Sequence, residues 1–434
     1  MSLQILNWQE LDSAAQAAAL SRPGLSNDAS RSETVVSIVN EVRAQGDVAL
    51  RRFTQEFDQV ELSELKVSAE EANSAEAQLS PAAIAAIDLA IRNVSSFHKA
   101  QLPEPLFVET LPGIVCERVS HAIDAVGLYV PAGTAPLPSA AIMLAVPASL
   151  AGCKTRIMCT PPRADGSADP AVVVAARRAG VSEIYKVGGA QAIAAMAYGT
   201  ASIPKVSKIF GPGNAWVTAA KSIIAADPAG AAIDLPAGPS EVLVIADATA
   251  SAEFVAADLL SQAEHGVDSQ VLLITTSVEL AQQVNTAITE QLQNLSRREI
   301  ARAALAASRT IVVDEIASAI RISNRYAPEH LILQLESARS WLPEVRNAGS
   351  VFLGAWAPES VGDYCSGTNH VLPTNGYARA YSGLGLDQFL RQMTVQELTA
   401  DGLVSISDAV VELAGLEGLD AHAAAIKVRL EALR

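Results

Sequence analysis

The sequence predicts an α/β protein with two doubly wound parallel sheets, a small N-terminal helical arm and a C-terminal helical tail. Two observations predict this class. Short apolar runs alternate with helical segments through residues 125–353, which is typical of parallel βαβ units. The chain also has 434 residues, too many for one ordinary core. We therefore expect two Rossmann-like domains with the two terminal segments attached to them.

The first hundred residues have helical periodicity. Residues 3–20 are predicted to form one short helix, which ends in a turn rich in proline, glycine and asparagine at 23–27. Apolar residues then recur on one helical face between 35 and 42, and a further helix is expected over 81–98. This part of the chain should therefore pack as helices against a sheet.

Two blocks of alternating strands and helices follow. The first block has predicted strands at 125–130, 156–160, 183–187 and 208–210 and predicted helices at 139–151, 171–179, 190–198 and 214–226. The second begins after a proline-rich loop at 236–239, with strands at 242–246, 271–275, 310–313, 331–335 and 351–353 and helices at 252–265 and 278–292. The predicted division of the chain is an arm (1–24), a first α/β domain (25–124 with 237–381), a second α/β domain (125–236) and a helical tail (382–434).

Composition excludes several classes of partner. A net charge of −16 opposes binding to nucleic acid phosphates or to anionic lipid. The uncharged run at 125–153 contains four prolines, so we interpret it as a strand, a loop and a buried helix rather than a membrane span. The four cysteines show no CxxC spacing and the amino terminus has no signal-peptide pattern, which predicts a cytoplasmic protein.

Gln262 and His265 lie three residues apart just before Gly266, so they share one face at the end of a predicted helix. They could hold a metal, or His265 could simply cap the last helical carbonyl groups. Further acidic and imidazole side chains in the second half of the chain favour the first interpretation. These are Glu329, His330, Asp363, His370, Glu417 and His422.

Glu329 and His330 are adjacent proton-transfer side chains at the start of a predicted strand. Neighbours in a regular strand point to opposite faces, so a joint role requires the pair to begin in the loop that follows Pro328. The alternative is an exposed glutamate beside a half-buried histidine. The segment 359–370 favours a site, because it gathers small, polar and ionisable residues in the way that site loops do.

Two strand-to-helix turns in the first block could contact a cofactor. Asn214 ends the sequence FGPGN, where backbone N–H groups can receive a phosphate, although a tight turn needs glycine and proline in any case. Gln191 follows the end of another strand, where ligands of α/β sheets bind, and it could equally cap a helix.

Together these segments resemble the histidinol dehydrogenase family over nearly the whole chain. The matching segments are AIDLPAGPSEV at 232–242, LSQAEH at 260–265, VGLYVP at 126–131, 187–193, 210–214, 324–331 and the loops around Asp363 and His422. The resemblance implies a homodimeric, cytoplasmic enzyme that oxidises L-histidinol to L-histidine through L-histidinal, with one Zn²⁺ per subunit and NAD as cofactors.

The resemblance also implies a role for each matching residue. The metal ligands would be Gln262, His265, Asp363 and His422, the last supplied across the dimer by the tail, and the catalytic acid/base residues would be Glu329 and His330. Substrate contacts would come from Ser240, His370 and Glu417 together with the metal ligands and His330. NAD contacts would come from Tyr129, Gln191 and Asn214. The first α/β domain would thus carry the metal and the catalytic residues, and the second would bind NAD.

Three other functions are compatible with parts of this pattern. The same two-step chemistry could act on another small chelating alcohol, such as a sulfonated diol, but His370 and Glu417 resemble histidinol contacts. A zinc hydrolase with Glu329 as its base would not need the doubly wound block of strands and helices at 125–226. A binding module would not need an adjacent glutamate and histidine.

Overall fold

The computed structural model describes residues 2–23, 29–132, 135–235 and 238–434. The strands are β1 (Gln4–Asn7), β2 (Leu106–Leu111), β3 (Ile114–Ala122), β4 (Ala125–Tyr129), β5 (Thr155–Thr160), β6 (Glu183–Lys186), β7 (Lys208–Phe210), β8 (Ala232–Ile233), β9 (Glu241–Ala246), β10 (Gln270–Thr275), β11 (Arg309–Val312), β12 (His330–Gln334), β13 (Ser350–Leu353) and β14 (Leu390–Leu398).

The α-helices are α1 (Ser13–Ala19), α2 (Ala29–Gln45), α3 (Asp47–Phe53), α4 (Ala69–Ala77), α5 (Pro81–Lys99), α6 (Pro138–Leu150), α7 (Pro170–Arg178), α8 (Gly189–Tyr198), α9 (Ala215–Ala226), α10 (Ala252–Ala263), α11 (Val278–Leu292), α12 (Arg298–Ala306), α13 (Ile316–Tyr326), α14 (Ala338–Trp341), α15 (Glu359–Tyr364), α16 (Ala400–Leu416) and α17 (Asp420–Glu431). No helix in the described ranges has the length and the apolar content that a membrane span requires.

Six parallel strands form one sheet in the order β1-β11-β10-β9-β12-β13. Apart from the edge strand β1, the chain starts this sheet at β9, adds β10 and β11 on one side and then adds β12 and β13 on the other. Every residue of β9, β10 and β12 is buried, because apolar cores lie on both faces of the sheet. This sheet is doubly wound, as the sequence predicts.

Five parallel strands form a second sheet in the order β6-β5-β4-β7-β8, which repeats the same winding around β4. Helices α6 and α7 contribute to the core on one face, and α8 and α9 contribute to the core on the other. The predicted α/β class with two doubly wound sheets is therefore confirmed.

The packing of α2 to α5 corrects one part of the predicted domain division. Residues 25–124 were expected to join the first α/β domain, whose sheet has six strands. Instead, α2 and α3 share a core with α8 and α9, and α5 packs on α6. Their apolar faces complete the cover of the five-stranded sheet. The predicted boundaries at 24/25 and 236/237 fall outside the described residues.

Both terminal segments contain a strand that the sequence pattern did not indicate. Residues 4–7 do not form part of a helix but pair in parallel with β11 at the edge of the six-stranded sheet, and α1 follows separately. The tail is likewise not wholly helical. Its residues 390–398 form β14, which pairs antiparallel with β3 over Leu390↔Ala122 to Leu398↔Ile114, and β2 completes this small sheet. Both strands are specified by distant partners, which local periodicity cannot show.

Candidate active site at the amino edge of the six-stranded sheet

Glu329 and His330 occupy the junction between α13 and β12. Helix α13 is capped by Ala327, which has a left-handed backbone (φ 56°) and redirects the chain. Glu329 lies in the loop and His330 is the first residue of the strand. The pair is thus arranged as a joint role requires, and both side chains are buried.

The backbone of Glu241, the first residue of β9, holds both side chains. Its N–H donates to Glu329 Oε2 at 2.8 Å, and its carbonyl oxygen accepts from His330 Nδ1 at 3.1 Å. His330 Nδ1 also lies 3.6 Å from Glu329 Oε2. Because Nδ1 donates to a carbonyl group, the neutral ring presents an unprotonated Nε2. That atom faces Asp363 Oδ1 at 3.7 Å.

Gln262 and Glu359 lie beside this pair and are both almost fully buried. With its amide nitrogen directed at Glu359, Gln262 donates to Glu359 Oε2 at 2.8 Å, and its oxygen accepts from the Glu241 N–H at 3.2 Å. His265, one turn further on, donates from Nδ1 to the Ser261 carbonyl oxygen at 3.0 Å, which leaves its Nε2 free. His370 donates from Nδ1 to the Asp363 carbonyl oxygen at 2.9 Å.

The cluster is rich in carboxylates, and burial and mutual contacts shift the pKa values of its ionisable side chains. Burial would lower the pKa of His330, but the charges of Glu329 and Glu359 raise it well above its ordinary value. Burial would raise the pKa of Asp363, but the nearby rings of His330, His370 and His265 lower it. Burial raises the pKa of Glu359. A negative cluster of this kind favours a bound cation.

The donor set fits such a cation only in part within one chain. Gln262, His265 and Asp363 offer an amide oxygen, a ring nitrogen and a carboxylate. In the ranges that the structure describes, no three His, Cys, Asp or Glu side chains group closely enough to hold a metal ion on their own. A fourth donor from elsewhere would therefore be needed to complete a tetrahedral set.

The structure does not bring every predicted site residue to this cluster. Ser240 does lie there, because it directly precedes Glu241, and its carbonyl oxygen accepts from Gln270 N at 3.1 Å. Glu417 directly follows α16 and His422 lies in the first turn of α17, a helix that packs on α16. Both side chains are exposed, and neither forms a hydrogen bond or ion pair within the described residues.

The three predicted cofactor residues lie together at the carboxyl edge of the five-stranded sheet. Tyr129 ends β4, and its Oη accepts from Gly189 N at 3.0 Å. Gln191 is buried in the first turn of α8 after β6. Asn214 caps α9 after β7, where its Oδ1 accepts from Trp216 N and Val217 N, each at 3.1 Å.

The loop that leads to Asn214 is held close to β4. Gly211 has a φ of +127°, and a Cβ there would lie 2.1 Å from the Tyr129 carbonyl oxygen, so the loop requires glycine. Its carbonyl oxygen accepts from Lys221 Nζ at 3.0 Å, and its N–H donates to Asp234 Oδ2 at 2.8 Å. The buried pair of Lys221 and Asp234 thus fixes the loop against the sheet.

Sequence reasoning missed three residues of the amino-edge cluster. Glu241 had a usable signal, because it is a lone charge at the start of the apolar strand EVLVIA. Glu359 begins the polar segment that the sequence did single out. Arg22, which forms an ion pair with Glu241 at 2.5 Å, gave no local signal, since its partner lies 219 residues away.

Comparison with known proteins supports one family. The family model described as histidinol dehydrogenase matches residues 21–430. A protein of Vibrio cholerae serotype O1 named histidinol dehydrogenase is 54% identical over 427 residues, covering 98% of each chain. One of the same name from Xanthomonas oryzae pv. oryzae is 55% identical over 99% of each chain.

A solved structure agrees with these relatives. The crystal structure of histidinol dehydrogenase from Elizabethkingia anophelis superposes with a TM-score of 0.95 at 46% identity, and covers 99% of this chain and 98% of its own. This similarity spans nearly the whole of both chains. The chain belongs to the histidinol dehydrogenase family and is an oxidoreductase.

Proposed function

We propose that this enzyme oxidises L-histidinol to L-histidine through L-histidinal, using zinc and two molecules of NAD⁺ in the last two steps of histidine biosynthesis. The observation that carries this proposal is the Glu241 backbone, which holds Glu329 and His330 together beside Gln262 and Asp363. The balance is one histidinol, one water and two NAD⁺ giving histidine, two NADH and protons. The site must therefore remove two hydroxyl protons and activate one water.

His330 is the residue proposed to take the hydroxyl protons, in the neutral form that a bound cation would favour by offsetting the charges of Glu329 and Glu359. Oxidation of an alcohol transfers hydride from carbon to NAD⁺ while the hydroxyl proton leaves to a base. The Glu241 carbonyl group holds Nδ1 and orients the ring so that Nε2 points towards Asp363. Because the hydrated aldehyde also carries a hydroxyl group, His330 serves both oxidations.

Glu329 is suited to activate the water that adds to the aldehyde. Its Oε2 accepts from Glu241 N, while its Oε1 has no hydrogen-bond partner within the described residues. One carboxylate oxygen is thus anchored and the other is available to a water molecule. This assignment gives the adjacent residues different tasks, and only the second half of the reaction needs Glu329.

Gln262, His265 and Asp363 with the partner subunit's His422 would hold the zinc ion. This set of two nitrogen and two oxygen donors is acceptable to zinc, and the surrounding carboxylates favour a cation. Bound there, zinc would supply a Lewis acid next to the substrate. Ser240, His370 and Glu417 complete the substrate contacts, and Tyr129, Gln191 and Asn214 bind NAD.

The tail is the segment proposed to complete the site across a homodimer. It exposes large apolar side chains, including Leu413 and Leu416, which are 61% and 77% accessible. Burying them against a second copy would carry His422 and Glu417 into the partner's site. Four free cysteines suit the reducing cytoplasm that we propose as the location.

The decisive test is the ratio of NADH formed to histidinol consumed. The purified enzyme with zinc and excess NAD⁺ should give two NADH per histidinol, with histidine as the product. A ratio of one would show that the reaction ends at the aldehyde and would refute the four-electron proposal. Turnover of a sulfonated diol without turnover of histidinol would support the second candidate instead.

A further inference from the structure

Arg22 and Glu241 form a bidentate ion pair next to the candidate catalytic residues. Arg22 donates from Nε to Glu241 Oε1 at 2.5 Å and from Nη2 to Glu241 Oε2 at 2.8 Å. The Glu241 side chain is only 3% exposed, and the Arg22 side chain is 17% exposed. Paired hydrogen bonds of this form fix both distance and direction, which a lysine cannot do.

Arg22 joins segments that are far apart in sequence. Its Nη2 also donates to the Tyr326 carbonyl oxygen at 3.0 Å, and its guanidinium carbon lies 3.9 Å from the centre of the Tyr326 ring. Asn375 N donates to Glu241 Oε1 at 2.7 Å. Arg22 thus connects the residues that follow α1 to the end of α13 and the start of β9.

The position of Glu241 decides the positions of Glu329 and His330. Its N–H and its carbonyl group bind one catalytic candidate each, so a displacement of the Glu241 main chain would move both. Tyr326 begins the turn that leads to Glu329, and Arg22 also holds its carbonyl group. Arg22 therefore restrains both sides of the catalytic pair without contacting either residue.

We propose that Arg22 is a positioning residue of the active site. It acts through Glu241 to keep the side chains of Glu329 and His330 in their positions relative to each other. This inference rests on the proposed roles of these two residues. Loss of the guanidinium group would leave the Glu241 carboxylate buried with Asn375 N as its remaining donor, and its main chain would shift to reach solvent. Displacing a catalytic group by about 1 Å can cost roughly 100-fold in rate.

The first test is kinetic. Arg22→Ala should lower kcat by about 10- to 100-fold in both half-reactions, started from histidinol and from histidinal. The KM for NAD⁺ should stay within about twofold, because the proposed cofactor residues belong to the other sheet. Guanidinium chloride at a low, non-denaturing concentration should restore activity in this variant, whereas sodium chloride at the same ionic strength should not.

Two further variants keep the test informative if Arg22→Ala folds poorly. Arg22→Lys retains a cation without the paired geometry and should have intermediate kcat at near wild-type thermal stability. Arg321→Ala removes an exposed arginine from α13 that pairs with Glu315 at 3.1 Å, and it should leave kcat unchanged. Wild-type kcat in Arg22→Ala or Arg22→Lys would overturn the proposal.

Hydrogen–deuterium exchange gives a measure that does not depend on turnover. The Glu241 amide should exchange faster in Arg22→Ala, while amides in the centre of β10 stay as protected as in wild type. Equal loosening of both would indicate a general loss of stability and would overturn the positioning role. Absence of histidinol oxidation by the wild-type enzyme would instead refute the proposed function. The exchange measurement would still test the positioning role of Arg22, because it does not require turnover.

Discussion

The two parallel sheets share one winding order, yet their candidate residues lie at opposite edges. In the five-stranded sheet, Tyr129, Gln191 and Asn214 follow the carboxyl ends of β4, β6 and β7, where ligands of doubly wound sheets normally bind. In the six-stranded sheet, Glu241 and His330 stand at the amino ends of β9 and β12. The same topology therefore carries candidate site residues at two different edges.

The loops explain the difference. At the carboxyl edge of the six-stranded sheet, Asp247 Oδ1 accepts from Thr249 N and Asp247 Oδ2 accepts from Glu336 N, each at 2.9 Å. The first bond stiffens the loop after β9, and the second joins it to the loop after β12 at the point where a ligand crevice would form. At the amino edge the corresponding loops present carboxylates instead. Strand order thus sets the arrangement of the sheet. The residues of the loops decide at which edge of the sheet a ligand is expected to bind.

The largest effect should come from substituting the proposed zinc ligands that two different subunits contribute to one amino-edge site. His265→Ala and His422→Ala should each abolish turnover, because each removes a proposed zinc ligand. Mixing the two variants should restore activity, since hybrid dimers would contain one site with neither substitution. With random exchange, about a quarter of all sites would be intact.

The control for that mixture is exchange of differently tagged subunits. No recovery of activity under conditions in which tagged hybrids are shown to form would contradict the shared site. It would also mean that the amino edge, like the carboxyl edge of the other sheet, is completed within one chain.

The next effect distinguishes the two adjacent residues of the amino edge. Glu329→Gln should oxidise histidinol to histidinal but lose the second oxidation by about 100-fold or more, because water activation fails. His330→Asn should lose both halves by a similar factor. Half-reactions started from histidinol and from histidinal provide the measurement. Equal losses for Glu329→Gln in both halves would show that the assigned division of tasks is wrong.

A smaller effect is expected at the carboxyl edge of the five-stranded sheet. Asn214→Ala should raise the KM for NAD⁺ by about 10-fold and leave kcat within about twofold, since it removes binding rather than chemistry. It also removes a helix cap worth about 1 kcal/mol. Ser251→Ala is the matched control, because it removes the cap of α10, where Oγ accepts from Phe254 N at 3.4 Å. A similar change of KM in both variants would contradict a specific cofactor contact.

The smallest effect concerns stability on the six-stranded side. Burial raises the pKa of Asp258 to about 6, so the folded protein keeps a proton that the unfolded chain releases between about pH 4 and pH 6. Stability should therefore fall as pH rises through that window. Asp258→Asn cannot ionise and should be more stable than wild type at pH 7 by at most about 3 kcal/mol.

The neighbours of Asp258 favour this outcome. Gln334 Nε2 donates to Asp258 Oδ2 at 3.1 Å, while Gln334 Oε1 is buried without a partner in the described chain. An asparagine amide could donate to that oxygen. Urea unfolding at pH 4 and pH 7 would measure the effect, with the exposed Asp314→Asn as control. No gain at pH 7 over this control would show that Asp258 is already ionised without cost.

Local pattern was enough to predict most of the sheet strands and the residue types of the site. Strands such as β9 and β12 are continuous apolar runs, and Gln262 with His265 sits at a recognisable helix end. The strands β1 and β14 could not be predicted, because pairing with β11 and β3 decides them. Arg22 was missed for the same reason, because its role depends on contacts with residues that are distant in sequence.

The most direct test of two sites at opposite edges is hydrogen–deuterium exchange with each ligand added separately to the zinc-loaded enzyme. NAD⁺ alone should slow exchange in the loops after β6 and β7, at about residues 188–191 and 211–216, and leave residues 262–266 unchanged. Histidinol alone should do the reverse and protect residues 262–266 and 363–370. Protection by NAD⁺ of the loops after β9 and β12, or of residues 262–266 in place of 211–216, would contradict the account.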